Sequence, residues 1–236
     1  MKFRSSIVLG LFVLVAVAGC ATTKVTKRQQ LVTGEIPRPA HILVYDFAAT
    51  PEDVPANSSL AGQYSAPSTP PTAEQIAMGR QLGAEIATQL VEEIQGMGMP
   101  AERASRQTPL LLNDIMIRGY LVSIEQGSEA KRLVIGFGAG ASELRTVAEG
   151  YQVTTQGLRK LGSGTVQSGG SKGPGALLGI AGLAATGNPA GLIISTGIKV
   201  YGEASGKSTV KGRAQQTAKE IAKVLKERFQ QEGWIQ

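Results

Sequence analysis

The chain contains one cysteine, one histidine and one tryptophan in 236 residues, and aromatics make up only 5% of it. Each shortage removes a class of chemistry. A single cysteine closes no disulfide within the chain and supports no Cys-based metal site. A single histidine, His41, excludes a three-histidine zinc centre and leaves a Ser-His-Asp arrangement little to build on. Aromatics near the basic residues are too sparse to stack bases, so no nucleic-acid partner is expected. The formal charge of +6 fits contact with anionic headgroups or wall polymer. Strand position offers Asp46 with Asp114 or Glu125 as carboxylate pairs, yet a strand-end or turn role is the simpler reading of each. Gly136 to Gly140 and the Gly206-Lys207-Ser208 triplet lack the strand, spacing and helix that a phosphate loop needs. The expectation is a protein that is not an enzyme, with no cofactor, no metal and no small-molecule substrate.

The position of the one cysteine is informative. Lys2 and Arg4 form a positive start, Ile7 to Val17 is an uncharged apolar stretch, and Val17-Ala18-Gly19-Cys20 closes it. The stretch has the length of a signal-peptide core and is short of the roughly 20 residues that span a bilayer. The run into Cys20 resembles the lipobox of bacterial lipoproteins. That resemblance implies cleavage between Gly19 and Cys20, a diacylglyceryl thioether on Cys20 and an acyl chain, typically palmitate, on the new N-terminus. Several chains anchor firmly where one anchors marginally. Ala21 in place of Asp leans towards the outer membrane, inner leaflet, facing the periplasm.

Residues 1–19 therefore read as signal peptide, 20–40 as a lipidated tether and 41–236 as a periplasmic domain. Lys24, Lys27 and Arg28 lie near the lipid, and Pro37 and Pro39 end the arm. His41 to Phe47 reads as a buried strand, and the proline-rich stretch 49–71 as a loop. Thr72 to Gln75 can form a capping box ahead of a helix carrying Ile76, Gly83, Ile86, Leu90 and Ile94. Residues 99–104 can add a strand. Asp114 to Glu125, Arg132 to Gly138, Glu143 to Thr155 and 158–166 read as further strands in an antiparallel meander. Ala214, Ala218, Ile221, Leu225 and Phe229 line one face of a C-terminal helix that Gly233 stops. The predicted class is α+β: a single, mostly antiparallel sheet with two helices on one face.

Residues 173–198 carry no charge and form a Gly-rich apolar insertion. Gly175 and Gly179 are four apart, as are Gly187 and Gly191, a spacing that lets helices approach closely. Gly187-Asn188-Pro189 divides the insertion into halves too short to cross a bilayer as helix. Packing on the protein itself or on a neighbouring subunit is the expected use, with shallow membrane insertion as the alternative.

Arg118-Gly119-Tyr120, Gly127-Ser128, the run from Arg132 to Ser142 (RLVIGFGAGAS) and the closing Gly233-Trp234 together resemble the bacterial lipoprotein family of unknown function numbered 4410. The resemblance implies an architecture and an address but no reaction. Val44-Tyr45-Asp46-Phe47 followed by the helix from Ala73 looks more loosely like the CsgG, LpoB and TolB N-terminal periplasmic αβ domains. That likeness implies assembly or partner binding. A membrane-held adaptor docking an envelope protein, or another copy of itself, is the leading expectation. A secretion-channel or pore subunit is the alternative, and a wall-polymer hydrolase trails both.

Overall fold

The computed structural model describes residues 23–56, 58, 72–125, 143–169 and 210–236. Its strands are β1 (Thr23–Gln30), β2 (Ile42–Tyr45), β3 (Ala101–Ala104), β4 (Ile115–Glu125), β5 (Glu143–Thr154) and β6 (Gly157–Gly169). Two helices, α1 (Ala73–Gly96) and α2 (Val210–Gln231), accompany them. The strands make one six-stranded sheet in the order β1-β6-β5-β4-β2-β3.

The α+β class holds, but the sheet is mixed. β2 runs parallel to both β3 and β4, while β4, β5, β6 and β1 are antiparallel in turn. The cause is local. Helix α1 carries the chain back from the end of β2 to the start of β3, and such a crossover delivers a parallel strand. The Ser105–Asp114 loop does the same for β4.

Leu82, Ile86, Leu90 and Ile94 bury one stripe of α1, and Ala214, Ala218, Ile221 and Phe229 bury one stripe of α2. Both stripes join Ile42, Val44, Ile115, Ile117, Leu144 and Val166 in a single core, so the helices share one face of the sheet. Gly83 lets α1 lie against the chain after β2, because a Cβ there would sit 2.0 Å from the Phe47 carbonyl oxygen. Gly98 (φ 79°) and Gly233 (φ 69°) end the two helices in the left-handed conformation. After the second stop, Trp234 stacks on Phe229 at 5.4 Å and donates its indole N–H to the Ile36 carbonyl at 3.1 Å.

The arm expected over 20–40 is not free in its described part. Residues 23–30 pair with β6 as an edge strand. Arg28 meets Glu227 of α2 at 2.8 Å, Thr23 donates to Gln216 at 3.0 Å, and the Ile36 amide donates to Glu232 at 2.9 Å. β1 reads as a polar linker in the sequence because an edge strand has only one neighbour to satisfy and little to bury. The strand expected at 132–138 and the insertion at 173–198 lie outside the described residues.

Candidate functional site

β2 ends at Tyr45, and the three residues that follow fan out over the carboxyl end of the parallel pair. Asp46 turns to solvent and pairs with Arg103 at 2.5 Å, Phe47 enters the core, and Ala48 bridges to Tyr120. A groove of about 640 Å³ opens at this place. Its walls are Tyr45 and Asp46 from β2, the turn Glu52–Ala56, Arg80 of α1, the Ala104–Thr108 corner with Leu110, and Arg118 to Tyr120 of β4. The carboxyl ends of parallel strands are where αβ units hold ligands.

Charges along the groove are arranged in pairs. Arg80 grips Asp53 through two bonds of 3.1 and 2.9 Å, and Thr50 adds its hydroxyl and amide. Partial burial pushes the Asp53 carboxyl up, but the bonds from Arg80 and Thr50 outweigh it and hold the group below its ordinary 3.8. Arg106 donates to the Glu52 carbonyl at 3.2 Å. Arg118 is buried between two phenols, 5.5 Å from the Tyr45 ring centre and 5.6 Å from that of Tyr151. Burial raises the Tyr45 phenol above its ordinary value, with Arg118 opposing.

Beneath the groove, on the sheet face opposite the two described helices, sits a buried acid. Glu149 of β5 is 2% exposed. Its Oε1 accepts from Lys160 Nζ at 2.5 Å, and its Oε2 accepts from Tyr151 at 2.8 Å and from Ser58 at 3.1 Å. The Tyr120 hydroxyl lies 2.6 Å from Ser58 Oγ and 3.0 Å from Glu149 Oε2. A phenol has one proton to give. Directed to the nearer Ser58, it leaves the serine proton for Glu149, and the three groups form a chain. Burial drives the Tyr120 phenol well above its ordinary 10.0, and the neighbouring carboxylate adds to that. A carboxylate engaged on both oxygens and held by a lysine is a poor general base, because taking a proton would break those bonds.

The acids singled out from sequence do not converge. Asp114 is buried, meets His41 Nδ1 at 3.1 Å and accepts from the Leu111 amide at 2.8 Å. It stands at the start of β4 while Asp46 follows the end of β2, about 16 Å away at strand rise. The side chain of Glu125 is outside the described set, as are Gly19, Cys20, Gly175, Gly179, Gly187 and Gly191. Among the described residues no cluster of three or more His, Cys, Asp or Glu side chains is placed to hold a metal ion. Glu149 was passed over in the sequence. Its signal was an acid at mid-strand in ELRTVAEGYQVTT, with Tyr151 two residues on and so on the same face.

The chain belongs to the DUF4410 family. The family, described as a domain of unknown function, matches residues 42–191, more than half of the chain. Within that DUF4410 range lie β2 to β6, α1, the groove and the Glu149 partners Lys160, Tyr151, Ser58 and Tyr120, while β1 and α2 lie outside it. No curated protein matches this DUF4410 chain. Among solved structures it is similar to the PelC dodecamer from Paraburkholderia phytofirmans, at 12% identity and a TM-score of 0.37, covering 85% of this chain and 96% of that one. A point variant of the same PelC dodecamer gives 14%, 0.33, 74% and 98%. The dodecameric assembly is stated of those proteins.

Proposed function

We propose that this DUF4410 chain is a non-catalytic binding module, held by lipid on Cys20 at the periplasmic face of the outer membrane, which docks an envelope protein in the groove beside Tyr45 and Arg118. One observation supports the binding role above others. The buried acid under the groove spends both oxygens on Lys160, Tyr151 and the Ser58–Tyr120 pair, and so stiffens the floor of the groove. Tyrosine and arginine side chains, the types enriched at protein-docking surfaces, line the groove at Tyr45, Tyr120, Arg80, Arg106 and Arg118. The lipobox-like run into Cys20 supports the address.

A photo-cross-linking amino acid placed at Thr108, on the groove wall, tests this in intact envelopes. It should capture one protein in stoichiometric yield, whereas the same group at the exposed Gln230 of α2 should not. Equal capture of assorted abundant proteins at both positions would overturn the docking role. Recovery of the chain in the soluble fraction with an unmodified Cys20 would overturn the address.

A further inference from the structure

We propose that the chain carries a second binding site, a pocket between α2 and the sheet that takes the tail of a medium-chain fatty acid. A cavity of about 150 Å³ lies there. Val25, Leu161, Val166, Ile221, Leu225 and Phe229 supply its apolar walls. The pocket opens to the surface, and its exposed lining is mostly apolar, with Gln29, Gln30 and Ser163 also bordering it. A space of this size holds a six-carbon ligand such as benzene, and so about the last six carbons of an alkyl chain.

A second observation concerns Gly150, which lines the cavity from β5. Leu144 and Ala148, on the same face of that strand, belong to the helix-side core, so a side chain at 150 would enter the cavity. A Cβ built there meets nothing within 4 Å, and the residue is not among the glycines with positive φ. Neither contact nor backbone conformation demands glycine, and glycine inside a strand costs stability. Its effect at this position is to keep the space empty, in an interior that otherwise fills its voids.

The rim selects the ligand's other end. Arg28 lines the opening and pairs with Glu227, with side chains 38% and 50% exposed. Exposed pairs of this kind are weak and exchange readily. The guanidinium can turn to a ligand carboxylate, which its planar fork matches with two bonds. An aliphatic tail inside and a carboxylate at Arg28 describe a fatty acid. The site is independent of the groove and of the docking role given to it.

The full-length chain in its membrane is incubated with a medium-chain fatty acid bearing a diazirine near the methyl end. It is then irradiated, digested and mapped by mass spectrometry. Label is expected on the segments holding Val25, Leu161 and Ile221 to Phe229, and unlabelled fatty acid should compete it away. Gly150→Leu fills the cavity and should cut labelling at least tenfold, and Arg28→Gln should weaken it. Gly150→Ala, whose methyl group meets no neighbour, keeps the fold, melts no lower than the parent and should label a few-fold less. Label that is uncompeted, that spreads over the surface, or that persists unchanged in Gly150→Leu overturns the proposal.

Discussion

Glu149 is a charge placed where water cannot reach it, and its partners set the cost of changing it. Replacing it with glutamine leaves the Lys160 ammonium without its counter-ion and two hydroxyls with a poorer acceptor. Removing one member of a buried pair costs about 3–5 kcal/mol. Lys160 keeps 23% of its side chain exposed and can turn partly to solvent, so a loss near the lower end, ~3 kcal/mol, is expected from urea unfolding. Lys160→Met added to Glu149→Gln should return part of it. Tyr120 gives the alkaline counterpart. Its phenol is held above 10.0 in the fold, so above that pH the unfolded chain releases a proton that the folded chain keeps. Stability is fully present below pH 10 and declines as pH rises beyond it. Tyr120→Phe should flatten that decline in a series of melts between pH 9 and pH 11, while lowering the melting point at neutral pH by the lost bonds. None of this network was legible beyond an out-of-place acid in a strand. Its members come from positions 58, 120, 149, 151 and 160; pairing of β4, β5 and β6 brings the last four together, and Ser58 joins them from the chain after β2.

At the scale of elements, periodicity served well wherever one face is buried. The four-residue spacing of Leu82, Ile86, Leu90 and Ile94 marks α1, the Ala214 to Phe229 stripe marks α2, and the apolar runs mark β2 and β4. It failed in two places for identifiable reasons. β1 spends its hydrogen bonds on β6 and has little apolar surface to advertise. The direction of β3 and β4 relative to β2 depends on where α1 returns the chain, which no local pattern encodes. What does fix α1 is its closest approach to the backbone after β2. At Gly83 a methyl group would lie 2.0 Å from the Phe47 oxygen and 3.0 Å from its carbonyl carbon, atoms that cannot rotate away. Gly83→Ala should therefore cost about 3 kcal/mol, at the top of the usual overpacking range. Gly96→Ala, at the end of the same helix with nothing within 4 Å, should be neutral or slightly stabilising. Paired denaturant titrations separate the two. Equal midpoints for both variants would mean that α1 can shift freely on the sheet.

For the whole molecule, the docking of β1 would turn the proposed anchor at Cys20 into an orientation. Thr23 follows Cys20 by three residues, a reach of about 10 Å when extended. Thr23 pairs with Ser168, Ser168 with Leu144, and Leu144 with Ile124, so this end of the sheet lies nearest any lipid on Cys20. From Ile124 back to Ile115 the chain runs about 30 Å along β4. Beyond it lie Leu111 and Leu112, 53% and 56% exposed, with Leu110 on the groove wall. Exposed leucines at a loop tip invite membrane insertion as an explanation, but an anchor at Cys20 would hold them well clear of its own bilayer. With the proposed address, they would face a partner arriving from the periplasm. With Cys20 acylated, a thiol introduced elsewhere is the only free one, which makes the geometry measurable. A fluorophore on Gln215→Cys, exposed near the start of α2, should be quenched by lipids carrying a quencher. One on Leu112→Cys should not, and both should escape quenching when Cys20→Ser frees the body from the membrane. Stronger quenching at position 112 than at 215 would mean that the leucines enter the bilayer and that the body stands the other way up.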